Sequence, residues 1–387
     1  MTDTEQNSGI SDISRFDELP DALLQHILSF LDMKEVLGTT LLAKRWRNLW
    51  RSLRTLKFSD LIWENEDGTT RFYDFERFVN QVLVGRDGIK LEKLVLDYSH
   101  LGLGEFKKWM NIAVGHHVQE IHLYHFLLPT AFHAQCKTLI LQNCSYPSDC
   151  FTVFSSRRKI KICAPNLTAL ELKGYLFKGY IMDNLSALVT AEIEVYITDI
   201  YRHDPDIIRS SFRDILIGVR TVKCLILTTH CLQRLPESPD CLEQPSFLFE
   251  KLIYLKLTEW CECRYIESGE KLLKNFPKLE TLVLERSEPT CIGNKGDWGP
   301  LSLGSIFHHL KKIDIQMFGD CENEFKFLEY LLNIAPVLEQ VTMKASETIS
   351  EEKLKGLFEW YKKLKTISRT SSSVKIKLMY GLKDFEA

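Results

Sequence analysis

Two periodicities divide this chain. From Leu19 to Leu53 the apolar residues recur at three- and four-residue spacing, the period of helices that bury one face. Leu23, Leu24, Ile27, Leu28 and Leu31 make one stripe, with Pro20 setting a helical φ in the first turn and Asp21 at the positive end of the helix dipole. Asp32 followed by Glu35 reads as a capping box, with Asp in place of Ser or Thr, that restarts a short helix through Val36 and Leu37. Gly38 weakens that helix by around 1 kcal/mol. Leu42, Trp46, Leu49, Trp50 and Leu53 keep helical spacing beside Lys44, Arg45, Arg47, Arg51 and Arg54, which predicts a third helix.

From Leu91 the period changes. A Leu-x-x-Leu-x-Leu pattern returns at intervals of roughly 20 to 34 residues, the signature of a repeat array. The clearest copies begin at Leu91, Val118, Cys136 and Leu167, and others at Leu188, Val222, Leu252, Leu279, Leu310 and Leu338. Alternating apolar residues in each copy predict a short strand, and the stretches FKKWMNIAVGH, DIIRSSFRDILIGV, IESGEKLLKNF and FKFLEYLLNIAP between copies have helical spacing. Strand and helix in repetition predict an α/β fold, a leucine-rich-repeat solenoid with a parallel sheet. It should be irregular. The position three after the last repeat leucine, where Asn or Cys normally bonds backbone carbonyls, holds Ser99, Phe126, Cys144, Tyr175 and His230, of which only Cys144 fits. The loop from Arg234 to Ser246 also interrupts the spacing.

The N-terminal unit has more large apolar side chains than so small a bundle can hide, since units near or below about 40 residues usually need a metal, a disulfide or a partner. Either they pack on the rest of the chain or they await another protein. Leu19-Pro20-Asp21, the run Ile27 to Leu31, and Lys44-Arg45-Trp46 with Leu49-Trp50 resemble the plant type of F-box over residues 14 to 58, with Ala43 where that family commonly has Ser. Residues 301 to 346 resemble the FBD region that plant F-box proteins carry after leucine-rich repeats, through Leu310, Ile313, Ile315, Phe318-Gly319, Glu324, Phe327, Leu331, Leu332, Asn333, Leu338, Val341 and Met343. The resemblance implies docking on the Skp-type adaptor of a cullin-based ubiquitin ligase, and through it on cullin and a RING subunit. Adaptor contacts are then expected from Leu19, Pro20, Leu23, Leu24, Ile27, Leu28, Leu31, Leu42, Lys44, Trp46 and Trp50.

Composition narrows the alternatives. A length of 387 residues suits several domains or one long array, and 45% hydrophobic content supports a buried core. The net charge of -3 gives no global footprint for nucleic acid or an acidic membrane. The N-terminal stretch is polar without a signal-peptide core, and no apolar run reaches the ~18 residues that span a bilayer, so cytoplasm or nucleus is expected. Eleven cysteines without paired spacing point to reduced thiols, which makes the sequons at Asn143, Asn166 and Asn184 incidental. Six basic and no acidic residues between Ala43 and Lys57 would also suit a membrane-surface or calmodulin-target helix, but that leaves the adjoining two helices unexplained. The run Arg157 to Lys161 suits a solvated strand entry more than a nuclear import signal.

No catalytic motif is present: no phosphate-binding loop, dinucleotide fingerprint or nucleophile elbow. His116-His117, His122, His125, His308-His309 and the Cys261, Cys263 pair lack metal-site spacing, and His125 should point to the opposite strand face from His122. No metal or cofactor is expected. The expected organisation is a disordered tail at 1–13, an F-box at 14–58, repeats at 59–300, an FBD region at 301–346 whose strand-helix-strand closes the array, and a C-terminal cap at 347–387. The expected function is non-catalytic: the F-box docks the adaptor and the repeats recruit an unidentified protein substrate for ubiquitination. The outward-facing Glu120, His122, Tyr124, Gln142, Glu171, Lys173, Glu192, Glu194, Tyr254 and Lys256 are the candidate substrate contacts. A non-ligase interaction scaffold and a small-molecule-sensing receptor are the alternatives.

Overall fold

The computed structural model describes residues 18–63, 72–99, 103–126, 128, 131–144, 159–196, 204–228, 247–259, 272–286, 307–318, 322–345, 351–366, 374–380 and 383–386. The proposed tail at 1–13, the loop Arg234–Ser246, His230, Cys261, Cys263 and Gly319 lie outside them. The chain forms two compact units, Met1–Leu167 and Thr168–Ala387.

The first unit opens with α1 (Asp21–Leu28) and α2 (Met33–Thr39). Pro20 is the N-cap of α1 rather than a residue of its first turn, with an extended ψ of 146°. The expected capping box is present at α2: the Asp32 side chain accepts from Lys34 N, and Asp32 N donates to Glu35 Oε2. The expected third helix is replaced by two 3₁₀ turns, Lys44–Arg47 and Leu49–Ser52, joined at Asn48 with φ −114° and ψ −8°. The backbone is extended at Ala43 (φ −151°, ψ 156°) and its φ departs from the helical value again at Asn48, so no continuous helix runs through the segment, and Trp46 and Leu49 are buried from separate turns.

The repeats then begin earlier than the sequence pattern suggested. β1 (Thr55–Ser59), β2 (Lys93–Asp97), β3 (Glu120–Tyr124) and β5 (Thr138–Gln142) form parallel pairs in that order, with α3 (Phe72–Val84) and α4 (Leu103–Gly115) as crossovers. A short parallel pair, β4 (Ala131–His133) and β6 (Ile160–Cys163), lies outside this sheet. In the second unit β7 (Ala169–Tyr175), β9 (Thr190–Tyr196), β10 (Cys224–Thr228), β11 (Tyr254–Thr258), β12 (Thr281–Glu285), β13 (Lys312–Phe318), β14 (Gln340–Ala345) and β15 (Lys375–Tyr380) pair in parallel in chain order. Around that sheet lie β8 (Tyr180–Asp183), α5 (Pro205–Val219), α6 (Glu322–Ile334) and α7 (Glu351–Thr366). The segment expected to close the array does contain strand, helix and strand. The sheet nevertheless continues through β15 and ends at β16 (Lys383–Glu386), whose antiparallel pairing to β15 breaks the repeat.

The repeat leucines hold the core. Leu91, Leu94 and Leu96 of the first copy, and their equivalents through Leu338, Val341 and Met343, are all buried, so each copy places apolar area against its neighbours. Backbone pairing follows the same period. The carbonyl one residue before each strand accepts two N–H groups from the next copy: Arg54 O from Glu92 and Lys93, Glu92 O from Gln119 and Glu120, Thr168 O from Val189 and Thr190. The irregular ladder position is handled case by case. The Cys144 thiol donates to Leu123 O (3.5 Å) and Gln142 O (3.6 Å), Phe126 fills its place as a buried ring, and Ser99 N and Oγ both donate to Asp60 Oδ2. Among the described residues no helix is long and apolar enough to cross a membrane.

Candidate functional site

The helical unit divides its apolar residues between two jobs. Leu24 and Leu28 of α1, Met33 and Val36 of α2, and Trp46, Leu49 and Leu53 are buried together and form its core. Three expected partner contacts, Leu24, Leu28 and Trp46, are therefore placed in the core of this chain, with little or no surface exposed. Leu19, Leu31 and Trp50 are half-buried, while Pro20 and Lys44 are exposed. What remains outside is a set of large apolar side chains: Leu23 (50% exposed), Ile27 (40%), Phe30 (64%), Leu41 (89%) and Leu42 (59%). Phe30 and Leu41 were not among the expected contacts. The signal for both was surplus: an aromatic ring just past the end of α1, beside a stripe already complete, and a second leucine beside Leu42.

This unit is anchored rather than free to move. Asp32 Oδ2 accepts from Ser59 N (2.9 Å) of β1, Lys57 Nζ donates to Phe30 O (3.2 Å), and Lys34 Nζ lies 4.5 Å over the Trp63 ring. The nearly buried Arg86 guanidinium donates to Leu53 O (2.6 Å) and Ile89 O (3.2 Å), and burial lowers its pKa. Arg45 Nε donates to Asp21 Oδ1 (2.9 Å), clamping the first 3₁₀ turn onto the start of α1. Burial raises the Asp32 carboxyl to about 6, opposed by the backbone N–H groups of Lys34 and Ser59. The exposed leucines thus project from a fixed scaffold, which lowers the ordering cost of any partner that covers them.

A second surface is the outward face of the strands. Glu120, Tyr124, Gln142, Glu171, Lys173, Glu192, Glu194, Tyr254 and Lys256 are all part-exposed there, as the alternation required. His122 shares the face but is nearly buried, in register with Val95 and Ile140 on the adjacent strands. Burial lowers its pKa, helped by Lys93 and opposed by Glu120, whose Oε2 lies 3.4 Å from its Nε2. His125 corrects the expectation of an opposite face. Its φ of 54° is left-handed, which breaks the strand alternation, and its Nδ1 meets the outward Asp97 carboxylate at 2.8 Å. Asn143 (φ 51°) and Glu259 (φ 53°) repeat that turn directly after β5 and β11. Among the described residues no group of three His, Cys, Asp or Glu side chains could hold a metal ion. His116, His117, His308 and His309 therefore take part in no such cluster, and the described part of the basic run, Lys159 to Lys161, leads into β6 as a strand entry.

The F-box domain model matches residues 16–58, the segment that holds α1, α2 and both 3₁₀ turns. An F-box/FBD/LRR-repeat protein of Arabidopsis thaliana is 23% identical over 96% of this chain and 97% of its own length. An FBD-associated F-box protein of the same plant is 26% identical over 90% of this chain and 81% of its own. An Arabidopsis F-box/LRR-repeat protein reaches 35% identity over 32% of this chain and 42% of its own. This chain therefore carries an F-box domain at residues 16–58 ahead of a leucine-rich-repeat region, and over most of its length it is similar to the F-box/FBD/LRR-repeat proteins of Arabidopsis.

Proposed function

We propose that this chain is the substrate-recognition subunit of an SCF-type ubiquitin ligase. The observation that carries the reading is the apolar set Leu23, Ile27, Phe30, Leu41 and Leu42, left uncovered on a rigid F-box domain. An F-box domain implies a Skp-type adaptor as the partner that covers it, and the adaptor in turn links to cullin and a RING subunit. The outward strand face then holds a protein target. No residue of this chain needs to carry ubiquitin, because holding a target lysine near a charged carrier raises its effective concentration. The chain acts as a non-catalytic receptor in cytoplasm or nucleus.

The test is reconstitution of the full chain with adaptor, cullin, RING subunit and charged carrier, followed by ubiquitin transfer to proteins that co-purify with it. Transfer that disappears when the exposed F-box leucines are made charged supports the reading. Robust adaptor binding with no transfer to any co-purifying protein leaves an interaction scaffold instead.

A further inference from the structure

The exposed apolar stripe of α1 leads off the F-box domain and onto the first repeat. Leu23, Ile27 and Phe30 are spaced i, i+4 and i+7, so they share one face, and the chain keeps a helical course past Leu28 because Phe30 N donates to Ile27 O (3.2 Å). Phe30, 64% exposed, stands at the end of that stripe. Beyond residue 58, where the F-box match ends, β1 runs into a third 3₁₀ turn, Leu61–Trp63. Leu61 of this turn is 60% exposed and Ile62 39% exposed, although neither belongs to the F-box.

Side-chain bonds fasten the corner that carries Phe30 to this turn. Lys57 Nζ donates to Phe30 O (3.2 Å) and lies 5.9 Å over the Phe30 ring, and Asp32 Oδ2 accepts from Ser59 N (2.9 Å). Lys34 Nζ donates to Ile62 O (2.5 Å) and lies 4.5 Å over the Trp63 ring. Trp63 packs in turn on Phe78 of α3, with ring centroids 5.1 Å apart, and its N donates to Asp60 O (2.8 Å). The turn is therefore ordered before any partner arrives. Each of the two ammonium groups has three N–H donors and gives one to a backbone carbonyl, which leaves donors on both for an incoming acceptor.

We propose that the adaptor that covers the F-box leucines reaches past residue 58 and also covers Leu61 and Ile62, with an apolar segment that carries a carboxylate for Lys34 and Lys57. The proposal rests on the ligase reading and adds contact residues that the F-box match does not contain. Continuity names the occupant: Phe30 ends the exposed stripe of α1, so a protein that covers it stands over the corner to which the turn is bonded. Large apolar side chains held in water on an ordered surface give that protein further burial at little ordering cost. The paired ammonium groups favour an acidic segment there and repel a basic one.

The experiment uses the full chain and a recombinant Skp-type adaptor of Arabidopsis thaliana. Calorimetry compares the wild-type chain with Leu61→Asp/Ile62→Asp, and the melting temperature of each free chain is recorded beside it. The double variant is expected to lose at least about tenfold in adaptor affinity with its melting temperature unchanged. Lys34→Gln/Lys57→Gln removes both charges and keeps an amide donor at each position. It is expected to lose about threefold at low salt, and to weaken less than the wild-type chain as salt rises. Hydrogen exchange on the unmodified chain covers the case of a variant that does not fold: amides of residues 60–63 should slow on adaptor binding together with those of residues 23–42.

Full affinity in Leu61→Asp/Ile62→Asp would overturn the proposal while leaving the ligase reading intact. Unslowed exchange at residues 60–63 alongside slowed exchange at residues 23–42 would do the same. An identical salt dependence in the wild-type chain and the lysine variant would remove the carboxylate from it. Self-association of the wild-type chain that Leu61→Asp/Ile62→Asp abolishes, seen by light scattering, would give the ledge to a second copy instead. Failure of the wild-type chain to bind the adaptor at all would sink this proposal and the ligase reading together.

Discussion

Replacing Leu41 and Leu42 together with Asp separates docking from folding. Leu41 is 89% exposed and Leu42 59% exposed, so in the free chain neither contributes much to the core. Complete burial of a Leu is worth about 1.5–3 kcal/mol. Scaled by these exposures, a partner covering both gains roughly 2–4 kcal/mol, and burying two unpaired carboxylates in the same place adds a further penalty. Adaptor affinity measured by calorimetry on the full chain should therefore fall at least about 100-fold, which corresponds to ~2.7 kcal/mol. Thermal stability of the free chain should stay within about 0.5 kcal/mol, as for surface substitutions elsewhere. Leu24→Ala and Leu28→Ala should behave in the opposite way, lowering stability by about 2–5 kcal/mol each because both side chains are buried. Adaptor affinity unchanged by Leu41→Asp/Leu42→Asp would refute the assignment of this face. A large loss of stability in that variant would refute the claim that its leucines are spare.

Two helical glycines should respond to the same substitution with opposite signs. Alanine at Gly38 in α2 meets nothing within 4 Å and should stabilise the chain by about 0.5–1 kcal/mol, whereas at Gly218 in α5 the new methyl would lie 2.5 Å from Met182 Cβ and should cost about 1–3 kcal/mol; denaturant midpoints decide both. The Asp32 carboxyl should titrate near pH 6 by NMR rather than at its ordinary 3.8. Since the folded state keeps that proton through a window where the unfolded chain has lost it, this group's contribution to stability is full below about pH 4 and declines as pH rises toward 6. Burial pushes the Cys136 and Cys144 thiols up to about 12, so both should resist alkylation at pH 8 in the native chain and react after unfolding, as mass spectrometry would show.

Much of the architecture was legible along the chain because both periodicities are local. The copies starting at Leu91 through Leu338 are all buried, the last two apolar positions of each on a strand and the first just ahead of it, since a strand that alternates sides and stacks on its neighbours turns the same positions inward in every copy. The Leu53, Leu56, Phe58 copy at β1 followed the same spacing and could have been found; Ile376 and Leu378 of β15 lack an apolar first position, with Ser373 standing there, so only pairing with β14 reveals that strand. The Asp32–Glu35 capping box was equally local, because its hydrogen bonds close within three residues.

Tertiary structure decided what periodicity could not. Spacing assigns Leu23 and Leu24 to one helix stripe alike, and only packing in the folded chain determines that Leu24 is core and Leu23 surface. The two 3₁₀ turns, the left-handed His125 that turns its ring to Asp97, and the continuation of the sheet to β16 likewise depend on partners distant in sequence. Strand register is the fullest case. Glu171 and Lys377 are separated by most of that unit's chain, yet pairing places them in one row. Sequence determined which residues alternate and which can cap; the register between strands, set by the joint burial of all the repeats, decided which side chains face a partner together.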